Sequence, residues 1–175
     1  PEDDVLGEPG QVDGDHGEHE RGLGGEVARC GGVDGIVCGR GEAELLGEHG
    51  FLALTVPEEY GGLGENHVGF AMTVETIARY GCASTAMCYT MHLGAVAAAA
   101  LRYHDSKPLR DILSRLDQDC LVGTLSYSDP ETGGHFWYPM SSGAERTEKG
   151  WKVKKKASWT TSGGFADWYI VQTTS

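Results

Sequence analysis

Residues Ser158, Trp159, Thr160, Thr161 and Ser162 set four hydroxyls and an indole directly ahead of the Gly163-Gly164 turn. An apolar run, Trp168 to Val171, follows at once. A second tract, Ser128-Asp129-Pro130-Glu131-Thr132-Gly133-Gly134, has a similar make-up: a hydroxyl, then small residues in a turn. Hydroxyls beside an aromatic wall can border a ligand, and successive backbone N–H groups in a Gly-rich turn form a nest for an anion. Taken as residues alone, the first tract reads better as a core Trp with strand threonines, and the second as a plain surface turn.

Other chemistry is less well supported. His16 and His19 lie among acids in "DGDHGEHE", which reads as an acidic tract with incidental histidines, so no metal site is expected. The five cysteines, Cys30, Cys38, Cys82, Cys88 and Cys120, show no paired CxxC spacing, and reduced thiols are expected. With net charge -12, the chain lacks the basic footprint of a nucleic-acid binder. The one basic run, Lys154, Lys155 and Lys156, reads as a solvated strand edge. No stretch approaches the ~18 apolar residues of a membrane helix, and a cytoplasmic location is the expectation.

The elements that would position the two tracts emerge from periodicity. Residues 1–43 hold 12 of the 27 glycines and 11 of the 26 acids, with no sustained pattern, and are expected to be poorly ordered or non-native. From Glu44, "EAELLGEHGFLAL" is amphipathic, and "TVPEEYGGLG" turns sharply. "HVGFAMTVETIARYG" carries a helical stripe of Val68, Ala71, Met72, Val74, Ile77 and Ala78, closed by Gly81. The segment from Ser84, its expected cap, to Tyr103 has no charge before Arg102, so it predicts a helix buried on all sides. "KPLRDILSRL" predicts a third helix, with Leu109, Ile112, Leu113 and Leu116 on one side.

Strand-like segments follow residue 120: "CLVGTLSYS", a hairpin in "TEKGWKV" with its turn at Lys149-Gly150, and "DWYIVQTTS". Helices first and strands second predict an α+β chain, with helices over 44–120 and strands over 121–175. The strand ending at Ser175 leaves an open edge, so the chain is expected to stop before its domain does.

The order "VPEEYGGLG", apolar helix, "KPLRDILSRL", "LSYSDPETGG", "WTTSGGFADWYIV" resembles the acyl-CoA dehydrogenases from about Glu44 to Ser175. That resemblance implies an N-terminal helical bundle followed by part of a β-barrel-like middle domain, with the chain truncated before a C-terminal helical bundle. It implies FAD as cofactor, contacted by Leu125, Tyr127, Ser128, Gly133, Gly134, Trp159, Thr160 and Thr161. The threonine would bond near flavin N5, with the tryptophan beside the ring. Met87, Thr90, Met91 and Gly134 would line the substrate site. Gly134 and His135 stand where the family usually has serine and aspartate, and Ala157 stands at a usual lysine.

The implied reaction is α,β-dehydrogenation of an acyl-CoA thioester: a carboxylate takes the α-proton and the β-hydride passes to flavin N5. Because the family's base lies in the C-terminal bundle, no catalytic residue is assigned, and neither Glu75 nor Glu131 is given that role. Acyl-CoA and an electron-transfer flavoprotein or another acceptor are the implied partners, with assembly as a homodimer or homotetramer. A flavin-dependent monooxygenase of the same fold and a non-catalytic binding fragment are the alternative readings.

Overall fold

A computed structural model describes residues 40–131, 142–148 and 150–174. The tract before Arg40, and Thr132, Gly133, Gly134 and His135 of the Gly-rich turn, lie outside the described residues. Among the described residues four α-helices come first: α1 (Arg40–Glu48), α2 (His67–Tyr80), α3 (Ala83–Ala100) and α4 (Lys107–Leu113). Four short strands follow: β1 (Gly123–Ser126), β2 (Gly143–Thr147), β3 (Gly150–Lys154) and β4 (Trp168–Val171).

Local chemistry explains the helix ends. Asn66 caps α2 by accepting the Val68 and Gly69 amides, and the Gly81 N–H returns to the Ile77 carbonyl. Ser106 caps α4 through the Leu109 amide, with Pro108 in the first turn where its missing N–H costs nothing. The start of α3 differs from expectation. Its cap position is Cys82, which makes no side-chain capping hydrogen bond, and Ser84 already lies inside the helix. Cys82 is disulfide-bonded, which corrects the expectation of reduced thiols throughout; Cys88 and Cys120 are free.

The charge-free α3 is the central post. Leu52, Ala53, Val56, Val96, Ala99, Leu113 and Leu116 form one buried cluster, against which Leu109, Ile112, Trp168 and Ile170 pack. Leu54, Tyr89 and Leu93 form a second, covered by Phe70, Val74 and Ile77 of α2. The face α2 turns inward is thus Phe70-Val74-Ile77, while Val68 at 65% and Met72 at 62% exposure point outward. Phe70 supplies the bulk that decides which side of the helix docks.

The strands do not close. β1 pairs in parallel with β4, Gly123 opposite Trp168 through Ser126 opposite Val171, whereas β2 and β3 form a separate antiparallel hairpin. Among the described residues a single parallel bridge, Gly143 to Thr174, links the two ribbons. The barrel-like middle domain implied by the resemblance is therefore corrected: the described residues form an α+β fold with two two-stranded sheets and no barrel closure. Closure needs strands enough to tilt and stagger around a full circle, and four strands of 4 or 5 residues are too few. The hairpin pairs Thr147 with Gly150, so its turn falls one residue earlier than expected.

Candidate functional site

β1 continues as an extended chain whose alternate residues Thr124, Ser126 and Ser128 share one face. All three meet the segment Trp159 to Thr161 in reverse order. Thr124 Oγ1 donates to the Thr161 carbonyl at 2.6 Å, and Ser126 Oγ lies 3.3 Å from Thr160 Oγ1. Ser128 Oγ donates to the Trp159 carbonyl at 2.7 Å and accepts the Trp159 amide at 2.9 Å. Side-chain hydroxyls thus join two stretches over 30 residues apart, where no regular backbone ladder joins them.

Burial grades along this seam. Thr124 and Thr161 are buried, Thr160 is half-buried, and the Trp159 indole lies 61% exposed. Tyr127 is also exposed on the opposite face of the β1 extension. Behind Thr161 the chain reverses tightly. Gly163, Phe165 and Ala166 return amides to Thr160 and Ser162 carbonyls, and Gly164, at φ +82°, gives its N–H to the Tyr169 hydroxyl. Leu125 faces the other way, its Cδ1 2.9 Å from where a Cβ on Gly94 of α3 would stand.

A buried polar node lies beside the seam. Asp129 is 0% exposed, with Oδ1 accepting the Glu131 amide at 3.1 Å and Oδ2 accepting the Ser142 hydroxyl at 3.0 Å. Lys155, its side chain only 8% exposed, donates to the Tyr127 carbonyl at 3.2 Å and sets its Nζ 4.0 Å from Asp129 Oδ2. The expected solvated lysine edge therefore holds for Lys154 and Lys156 alone. Lys155 turns inward because a carboxylate and a carbonyl await it there.

His92 was visible in the sequence only as a polar interruption of an apolar helix, yet it ties the site to the helical core. Its Nε2 lies 2.8 Å from the Leu52 carbonyl, and its Nδ1 accepts the Gly123 amide at 2.9 Å. A carbonyl can only accept and an amide can only donate, so the ring is neutral with its proton on Nε2. Burial pushes its pKa down to about 4, against the favourable Leu52 bond. Asp117 holds the same turn by accepting the Leu52 and Ala53 amides at 2.9 and 3.3 Å. Burial holds its carboxyl above the ordinary range, and the two amides oppose that rise. One legible signal was the lone histidine in a helix without Asp, Glu, Lys or Arg; another was the period-two row Thr124, Ser126, Ser128.

The substrate candidates divide. Thr90 borders a shallow groove of about 420 Å³ between α2 and α3, with His67, Phe70, Ala71, Val74 and Glu75, and its hydroxyl is bonded to the Ala86 carbonyl. Met87, which is exposed, and Met91, which is half-buried, do not line that groove. Gly133 and Gly134 lie outside the described residues, and the nest expected there with them.

What the arrangement offers chemically is an open aromatic face bordered by part-used hydroxyls. The Ser128 hydroxyl has committed its proton and one lone pair to Trp159, so it retains acceptor capacity only. Exposed indole, half-buried Thr160 hydroxyl and buried support fit a flat aromatic ligand with polar edges, such as a flavin.

The family model "Acyl-CoA dehydrogenase, N-terminal domain" matches residues 37–115. The mitochondrial isovaleryl-CoA dehydrogenase of Solanum tuberosum is 30% identical over 128 residues, 73% of this chain and 31% of that protein. A mitochondrial short-chain specific acyl-CoA dehydrogenase of Rattus norvegicus is 24% identical over 121 residues, 69% of this chain and 29% of that one. The chain thus spans about a third of the length of these curated relatives. Among solved structures, the acyl-CoA dehydrogenase of Geobacillus kaustophilus matches with TM-score 0.63 and 21% identity, covering 77% of this chain and 35% of that one, a likeness of fold. The mitochondrial designation of the plant isovaleryl-CoA dehydrogenases conflicts with the expected cytoplasmic location, which is withdrawn. Among the described residues, no helix is long and apolar enough to cross a membrane.

Proposed function

Because the chain belongs to the acyl-CoA dehydrogenase family, we propose that it forms the N-terminal helical part and the opening of the middle part of an FAD-dependent enzyme that oxidises the α,β bond of an acyl-CoA thioester. The observation that carries this reading is the hydroxyl seam between residues 124–128 and 159–161, with the Trp159 indole open at its end. Bound there, FAD would supply the hydride acceptor.

This chain's own residues would bind, orient and exclude water. Trp159 would form an aromatic wall, which keeps solvent from the reacting face. Thr160, with its hydroxyl shared among the described residues with Ser126 Oγ alone, at 3.3 Å, is the side chain best able to offer a hydrogen bond to a cofactor edge. Ser128 would act mainly as the clamp on the Trp159 backbone, with one acceptor site left for a ligand N–H. Leu125 and Tyr127 would contribute through the backbone of the same extended segment. Thr90 would serve the acyl side, beside the α2–α3 groove, with Met87 and Met91 on the same helix. No carboxylate of this chain is assigned as the general base. Homodimeric or homotetrameric assembly and electron delivery to an electron-transfer flavoprotein or another acceptor belong to the same proposal.

The test is spectroscopic. The protein expressed from the complete reading frame should be yellow, and short-, medium- or long-chain acyl-CoA added without oxygen should bleach it. A flavin-containing protein that no thioester bleaches would overturn the dehydrogenase reading.

A further inference from the structure

The Ser128–Trp159 contact is held from behind by a largely buried charge pair, with the Lys155 side chain 8% exposed and that of Asp129 0%. Lys155 bonds the Tyr127 carbonyl and stands against the Asp129 carboxylate, so it grips the residues on either side of Ser128. Ser128 in turn holds both backbone polar groups of Trp159. Three residues of chain, Lys156, Ala157 and Ser158, join Lys155 to Trp159 and close the ring. Asp129 also gathers the Glu131 amide and the Ser142 hydroxyl, and Ser142 accepts the Thr174 amide and hydroxyl at its carbonyl. The ends of β1, β2 and β3 and the segment after β4 therefore meet at one buried node.

Burying an ammonium and a carboxylate costs several kcal/mol per ion, and an apolar pair of like volume is often at least as stable. Stability alone therefore gives little reason for charges here, whereas a unique backbone arrangement does. We propose that Lys155, acting through Asp129, is a positioning residue that sets the backbone of Ser128 and Trp159 for the flavin-bordering edge. This rests on the reading of that edge given above; the geometry of the node itself does not.

The experiment uses the full-length chain carrying Lys155→Met together with Asp129→Asn, which removes both charges so that neither is stranded. Lys154→Met, at an exposed neighbour, is the control, and Lys155→Arg tests rescue. Two readouts are taken: amide hydrogen exchange at Trp159 in the apo-protein, and FAD affinity with the bound-flavin spectrum. The double variant should fold with unchanged far-ultraviolet dichroism, exchange the Trp159 amide at least roughly tenfold faster, and bind FAD roughly tenfold more weakly, since preorganisation is what it lacks. Lys154→Met should match wild type, and Lys155→Arg should recover most of the loss. Wild-type Trp159 exchange in the double variant would overturn the inference. Failure of the wild-type protein to take up FAD would instead overturn the reading of the edge, with the Trp159 exchange still deciding whether the node positions the backbone.

Discussion

Ser128 and Trp159 hold each other in both directions: one hydroxyl gives its proton to the Trp159 carbonyl at 2.7 Å and receives the Trp159 amide at 2.9 Å. A single side chain thereby does what a pair of ladder hydrogen bonds does in a sheet. Ser128→Ala should cost about 1 kcal/mol, because both orphaned backbone groups sit near enough to solvent to be rehydrated. Ser128→Thr, which keeps the hydroxyl, should cost less. Chemical denaturation of the two variants beside wild type checks the order.

His92 makes the fold acid-sensitive. Its pKa falls to about 4 in the folded chain from an ordinary 6.5, so the unfolded chain binds the proton more readily between those values. The contribution is complete above about pH 6.5 and is lost progressively as pH falls towards 4, a change on the order of 3 kcal/mol. Asp117 works with the opposite sign, since its raised carboxyl pKa lets the folded state take up a proton first as pH falls through the carboxylate range. Unfolding measured from pH 7.5 to 4.5 should show the decline, and His92→Gln should be less stable at pH 7.5 but flatter across the range. An unchanged slope in that variant would show that His92 is not the sensor.

Gly123 admits no side chain. A Cβ there would stand 2.3 Å from Trp168 Cζ2, inside the indole that packs across the β1–β4 pair and meets His92 edge-on. Gly123→Ala should destabilise by about 1–3 kcal/mol through overpacking. Gly143→Ala, with nothing within 4 Å of the new methyl, should be near neutral. Thermal melts of the two variants provide the comparison.

The two faces of the helical layer should respond unequally. Leu93 of α3 is fully buried in the cluster that α2 covers, and Leu93→Ala should cost about 2–5 kcal/mol. Met72, pointing outward from α2, should tolerate Met72→Gln within about 0.5 kcal/mol in this chain. A large loss at Met72 would mean that its face is covered in solution.

Local signals made much of the fold legible before any coordinates. Gly81 and Pro108 mark helix ends because a turn residue or a missing N–H acts within one turn of chain, whereas the caps Asn66 and Ser106 emerge only with the helices they begin. The stripe Leu109, Ile112, Leu113, Leu116 declares its inward face through spacing, whereas α3, expected to be buried on all sides, buries Ala86, Tyr89, Leu93 and Val96 but leaves Met87 exposed. The convergence of Ser128 with Trp159 was implied by a family resemblance, and the same resemblance misled on the barrel.

What composition and periodicity could determine was the succession of elements and their apolar faces, since those depend on neighbours three or four residues away. Tertiary structure alone decided that β1 lies parallel to β4, that Lys155 turns inward while Lys154 and Lys156 do not, and that His92 bonds Gly123, 31 residues further along the chain. Each of those outcomes is a pairing of buried polar groups with partners remote in the chain, and such pairings are chosen only when packing has removed water as the competing partner.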